Sequence, residues 1–174
     1  YIVNHKNPPK FIGFITNYPK SKRHVEYEDL KKLIYIDKKK INFVSVLVNP
    51  TDEILEKIKD LNFDYYQLYD VSPEKTKIIR EKYKVKIITA LTIENKNDIE
   101  EYKKFEFISE IILFDSKGYE KSIGFDHKLL NNVSTKVNRM LAGNIRYNDK
   151  LDKYSKITDI IDISGSLETS GKKD

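Results

Sequence analysis

The chain has 174 residues, 32 basic and 27 acidic side chains, a net charge of +5, 39% apolar residues and no cysteine. At roughly 150 residues per domain the length fits one domain, and 12 Tyr and 8 Phe supply apolar area that argues against disorder. No apolar run nears the ~20 residues of a membrane span, and the first residues do not read as a signal peptide. Without cysteine there is no disulfide frame and no thiolate metal site, which fits a cytoplasmic protein.

The basic balance does not describe a nucleic-acid surface. Arginine occurs four times (Arg23, Arg80, Arg139, Arg146), and the lysines alternate with acids, as in Glu100-Glu-Tyr-Lys-Lys104. Interleaved signs solvate a helix face, whereas a phosphate-tracking stripe concentrates one sign on one side.

In chain order, the apolar, β-branched run 11–16 predicts a first strand. In 26–36 the residues Tyr27, Leu30, Leu33 and Ile34 recur at helical spacing. A strand follows at 42–48, then a helix over 52–61 carrying Ile54, Leu55, Ile58 and Leu61, then a strand at 64–68. Ser72-Pro73-Glu74 opens a helix: Ser caps, Pro fits the first helical position, and Glu favours the positive end of the dipole. Strands are expected at 86–92, 110–114, 139–142 and 159–163, with shorter helices opened by Asn97-Asp98, Phe125-Asp126 and Asn148-Asp149.

Seven strands alternating with helices imply an α/β fold with a parallel sheet. Strand starts are spaced by roughly 25 residues, so eight units of a (β/α)8 barrel need ~200 residues and this chain holds about seven. The chain begins with Tyr and ends on Lys172-Lys173-Asp174 soon after the last strand. A TIM barrel domain spanning 1–174, truncated at both ends by its first strand and last helix, accounts for these features. An open doubly wound sheet of seven units is the alternative.

In either architecture ligands meet the C-terminal ends of the strands. Those ends carry Asn17 to Arg23, Asn49, Gln67 to Asp70, Thr92, Asp115-Ser116, Gly143-Asn144 and Asp162 to Ser166. Ala142-Gly143-Asn144 and Ser164-Gly165-Ser166 follow the last two strands, where small residues let backbone N–H groups approach a phosphate; ordinary turn chemistry explains them equally. Asp115 ends the apolar segment Ile111-Ile-Leu-Phe114, so partial desolvation is expected to raise its pKa towards general-acid use, unless it is a simple capping aspartate. Asp162 lies among Ile160, Ile161 and Ile163 and needs a partner; Arg23, in the basic loop Tyr18-Pro-Lys-Ser-Lys-Arg23, is the candidate cation unless it is merely solvated. His5, His24 and His127 lack metal-ligand spacing, and Gly165 to Gly171-Lys172 misses the P-loop spacing by one residue.

Taken in order, Gly13-Phe-Ile15, Tyr18-Pro-Lys-Ser-Lys-Arg23, Val46-Leu-Val-Asn49, Gln67-Leu68, Leu113-Phe-Asp115, Phe125-Asp126, Leu141-Ala-Gly143, Asp162-Ile-Ser-Gly-Ser-Leu-Glu168 and Gly171-Lys-Lys-Asp174 resemble the phosphoribosylanthranilate isomerase family. The resemblance implies an eight-unit barrel that performs an Amadori rearrangement of N-(5-phosphoribosyl)anthranilate in tryptophan biosynthesis, with no cofactor and no metal. It implies Asp115 as general acid, Arg23 and Asp162 at the anthranilate end of the substrate, and Gly143, Ser164, Gly165 and Ser166 at its phosphate. Three departures stand out. The family's base is a cysteine on the first strand, in a K-x-C-G-I-like segment, and this chain has none, so little activity is expected of these residues alone. Gln67-Leu-Tyr69-Asp70 replaces Q-L-H-G, and Glu120-Lys-Ser-Ile-Gly124 replaces a G-G-T-G loop. Another phosphosugar enzyme on the same barrel, of epimerase or indole-glycerol-phosphate synthase type, shares the late turns but not the Tyr-Pro-Lys-Ser-x-Arg loop. A phosphate-binding or nucleic-acid-binding module without catalysis is the third possibility.

Overall fold

The computed structural model describes residues 2–117 and 124–170, and the backbone of residues 172–173. Residues 120–123 of the segment that replaces the family's glycine loop lie outside the described residues. The chain divides into two compact units, Tyr1–Ile87 and Ile88–Asp174.

The first unit contains β1 (Phe11–Ile15), α1 (Tyr27–Ile34), β2 (Asn42–Val48), α2 (Asp52–Ile58), β3 (Tyr65–Tyr69) and α3 (Pro73–Tyr83). The strands pair in parallel and in sequence order, with Ile15, Val46 and Gln67 at one level and Val48 opposite Tyr69. Alternation along each strand decides what faces the helices. Tyr66 and Leu68 of β3 join Leu47, Leu55, Ile58 and Ile79 in a helix-side core, so Tyr65, Gln67 and Tyr69 point to the opposite face. Helix α3 starts as its sequence dictates: the Ser72 hydroxyl accepts from the Lys75 N–H at 3.2 Å and Pro73 takes the first position. Such a cap contributes about 1 kcal/mol.

Helices α2 and α3 are joined by Glu56. Its carboxylate meets the Lys82 ammonium at 2.7 Å and that of Lys59 at 3.0 Å, and it accepts from the Tyr83 hydroxyl at 2.8 Å. These donors hold the Glu56 carboxyl down at about 2, Lys82 first among them. A lowered carboxyl pKa stabilises the fold above the unfolded value near 4.5 and loses that contribution as pH falls towards 2. Because the group is solvent-screened the effect is small. Glu56→Gln is therefore expected to lower the melting temperature slightly at pH 7 and to narrow the gap from wild type as melts are repeated down to pH 3.

The second unit contains β4 (Lys86–Ile93, which begins at the boundary), α4 (Lys96–Glu100), β5 (Ile111–Ser116), β6 (Asn138–Leu141) and β7 (Ile160–Ile161), followed by the two-residue strands β8 (Glu168–Thr169) and β9 (Lys172–Lys173). Strands β4 to β7 pair in parallel and in order, while β8 and β9 form a small antiparallel hairpin. Ile93, Ile112, Phe114 and Leu141 form the helix-side core with Tyr102, Leu130, Tyr154 and Ile157.

All seven expected strands occur, each within two residues at either end. The late helices differ. Residues His127–Asn132 and Leu151–Tyr154 are 3₁₀ turns. Asp126 caps the first by accepting from the Lys128 N–H at 3.0 Å. Asp149 does not cap the second; it accepts from the Arg146 N–H and the Tyr154 hydroxyl, closing the loop before it. The start of α4 is also corrected: Asn95 caps it, and Asp98 is the third helical residue, reaching back to the Asn95 N–H at 2.9 Å. That reciprocal pair leaves Asn97 inside the first turn.

Candidate active site

In the second unit the strand register aligns the polar tips. Phe114 pairs with Leu141 and Leu141 with Ile161, so Asp115, Ala142 and Asp162 follow at the next level, and Thr92 pairs directly with Asp115. The ladder continues through this level, since Ala142 N–H donates to the Phe114 carbonyl and Asp162 N–H to that of Leu141, each at 2.9 Å. Phe114, Leu141 and Ile161 face the helices. By alternation the row Thr92, Asp115, Ala142, Asp162 faces away from them. The two carboxylates stand two strands apart, roughly 9–10 Å at ordinary strand spacing. The methyl group of Ala142 between them leaves room for a ligand to touch both.

Asp115 is half-buried, and one of its oxygens accepts from the Ser116 N–H at 2.8 Å. That bond fixes the carboxylate direction at the tip of β5. Asp162 is also half-buried, one residue beyond β7 rather than within it.

Above this row lie the two small-residue turns. Gly143 has φ +87° and Asn144 φ +54°. A Cβ on Gly143 would sit 2.2 Å from the Ser116 hydroxyl oxygen and 2.8 Å from the Ser116 nitrogen. Only glycine serves here, both for the dihedral and for the close approach. The second turn, Gly165–Leu167, is a single 3₁₀ turn. Ser166 donates its hydroxyl to the Ile145 carbonyl at 2.9 Å, tying the second turn to the chain leaving the first. Ser166 and Ile145 thus bring the segments of the two turns together. The proton of the Ser166 hydroxyl is engaged in this tie.

In the first unit the loop after β1 folds back on itself. Ser21 N–H donates to the Tyr18 carbonyl, His24 N–H to that of Ser21, and Val25 N–H to that of Ile15. Asn17 anchors the loop to β2, its side chain donating to the Val48 carbonyl and accepting from the Val48 N–H, both at 2.8 Å. The amide thereby acts as one more ladder residue, and Arg23 is carried to the tip of β1, half-buried, with its N–H on the Ser21 hydroxyl. Gln67 donates to the Tyr69 hydroxyl at 3.2 Å, both side chains buried. Tyr69 thus stands where the family has its histidine and is held by Gln67. Asp70, at the family's glycine position, has φ +55°.

Sequence reasoning named two residues around the first turn, Ser116 at a strand tip and His127 as no metal ligand, without giving either a role. The Ser116 hydroxyl is buried against Gly143 without a hydrogen-bond partner among the described residues. His127 sits edge-on to Phe125 and Tyr154, with ring centroids 4.9 and 5.4 Å away, and hydrogen-bonds the Gly143 backbone. A lone histidine gives no periodic or motif signal, so its place became visible only with the fold.

Parallel βα repeats with carboxylates and glycine turns at the strand tips define a protein of the (β/α)8-barrel class. The solved phosphoribosylanthranilate isomerase of Thermotoga maritima superposes with a TM-score of 0.83 at 25% identity, over 96% of this chain and 83% of that one. The N-(5'-phosphoribosyl)anthranilate isomerase of Staphylococcus haemolyticus is 33% identical over 175 residues, covering 94% of this chain and 81% of the relative. That of Petrotoga mobilis is 35% identical over 173 residues, covering 94% and 80%. The family model for N-(5'-phosphoribosyl)anthranilate (PRA) isomerase matches residues 3–174. The chain belongs to the N-(5'-phosphoribosyl)anthranilate isomerase family.

Proposed function

We propose that the chain acts in tryptophan biosynthesis as the isomerase that converts N-(5-phosphoribosyl)anthranilate to 1-(2-carboxyphenylamino)-1-deoxyribulose 5-phosphate, in one (β/α)8 barrel domain to which residues 1–174 belong. Asp115 donates a proton to the ribose ring oxygen as the C1–O bond breaks, and the anilino nitrogen lone pair forms the C=N bond of a Schiff base. A general base then removes the C2 proton, giving an enolamine that tautomerises to the ketone. In the family that base is a cysteine, and this chain contains none. Arg23 and Asp162 hold the anthranilate end, Arg23 through its guanidinium on the carboxylate. Gly143 and the 164–166 turn hold the phosphate through backbone N–H groups.

The observation that carries the reading is the row of Asp115, Ala142 and Asp162 beneath two linked glycine turns, in the order the family motifs require. A charged phosphosugar does not cross membranes unaided, which supports a cytoplasmic location. Among the described residues no helix is long and apolar enough to cross a membrane.

Calorimetric titration with the aminated deoxyribulose phosphate product and with ribulose 5-phosphate separates the readings. The isomerase reading expects the product to bind at least tenfold tighter, through contacts to its anthranilate ring. Equal affinities point to the epimerase type or to a phosphate-binding role. A steep salt dependence of binding to mixed-sequence duplex DNA points to nucleic acid.

A further inference from the structure

The scheme above leaves His127 without a task. Its ring is half-buried between Phe125 and Tyr154. It donates a hydrogen bond to the Gly143 backbone carbonyl, while Nε2 is buried with no partner among the described residues. The ring therefore meets Gly143 through Nδ1–H and is neutral, because a proton on Nε2 would be a buried donor with nothing to accept it.

The Gly143 carbonyl and the Asn144 N–H belong to one planar, trans peptide, in which they point in opposite directions. Fixing the carbonyl fixes the N–H. This peptide is the part of the turn most able to rotate, since glycine supports several dihedral combinations at little cost. Gly124 limits the turn from another side: a Cβ there would lie 3.3 Å from the Asn144 side-chain nitrogen.

We propose that His127 is a positioning residue for anion binding, holding the Gly143 carbonyl so that the Asn144 N–H is aimed at the substrate phosphate. The inference rests on the phosphate reading of this turn. It also ties anion binding to pH. Burial is the main influence on His127 and pushes it below its ordinary 6.5. The facing charges are Lys153, which opposes protonation, and Asp126 and Asp149, which favour it. Lys153 lies 4.6 Å from the Tyr154 ring centroid and pairs with Asp149 at 3.3 Å. The Gly143 carbonyl itself favours the protonated ring, but the added proton on Nε2 meets no acceptor among the described residues, so at low pH the ring has to turn towards water and its bond to the carbonyl is strained.

The test compares wild type, His127→Phe and His127→Asn. Phe keeps the aromatic packing and deletes the donor; Asn restores a donor near the Nδ1 position. The readout is the ratio of affinities for the phosphorylated product and its dephosphorylated counterpart, which a general loss of fold does not move. The Phe variant is expected to lower that ratio about tenfold, with affinity for the dephosphorylated compound unchanged, and Asn to stay within about threefold of wild type. As pH falls below the ordinary 6.5 of histidine, the wild-type ratio falls more steeply than that of the Asn variant, the ligand's own titration being common to both. A Phe variant that keeps the wild-type ratio overturns the positioning role alone. A wild type that does not distinguish the two ligands overturns the phosphate reading and this inference with it. Should the Phe variant not fold, His127→Leu, which also lacks a donor, is read in the same way: a wild-type ratio in it overturns the positioning role.

Discussion

Gly143→Ala is expected to destabilise the protein by about 2–5 kcal/mol and to weaken phosphorylated-product binding by more than tenfold. Two costs combine. The residue has φ +87°, where a side chain costs about 1–2 kcal/mol. The new methyl also lands 2.2 Å from the Ser116 hydroxyl oxygen, 2.7 Å from its Cβ and 2.8 Å from its backbone nitrogen. Overpacking of this kind costs about 1–3 kcal/mol, and relief requires the turn to move. A second substitution separates the parts. Ser116→Ala removes the hydroxyl but not the Cβ and nitrogen contacts, so the double variant should regain some stability and little binding. Urea denaturation and ligand titration check both. A Gly143→Ala protein that melts within 0.5 kcal/mol of wild type and binds product normally would mean that the turn is looser than its geometry states.

The repeat itself was legible because each strand is a short β-branched run between turn residues, as in Asn42–Val48, where expected and observed limits coincide. Helix α3 was legible because Ser72 and Pro73 are local signals with local causes. What escaped were features set by distance in the chain. The 3₁₀ turns at His127–Asn132 and Leu151–Tyr154 are too short to show a period, and β8 and β9, at two residues each, show none at all. The tip residues could be named from the strand ends. Their alignment in one row depends on register, which follows from pairing rather than from any one segment. Ser116 and His127 matter through what they touch. Nothing near His127 in sequence announces a carbonyl sixteen positions away.

Asp115→Asn is expected to lower turnover by about 10²–10⁴-fold while changing product affinity only a few-fold, the range that general acid–base catalysis supplies. The substitution is nearly isosteric, and an amide oxygen still accepts the Ser116 N–H that orients the carboxylate. It removes the proton that ring opening consumes and little else. Because the chain has no cysteine, the measurement belongs in a protein in which it is joined to a family-type first strand bearing that residue. Single-turnover kinetics report the chemical step, and product titration reports the ground state. A loss in kcat with affinity retained identifies an interaction made in the transition state, as a proton donor requires. A loss in affinity with kcat retained would instead make Asp115 a binding group, and the donor would then be sought at Asp162, the other carboxylate facing the same side of the sheet two strands away.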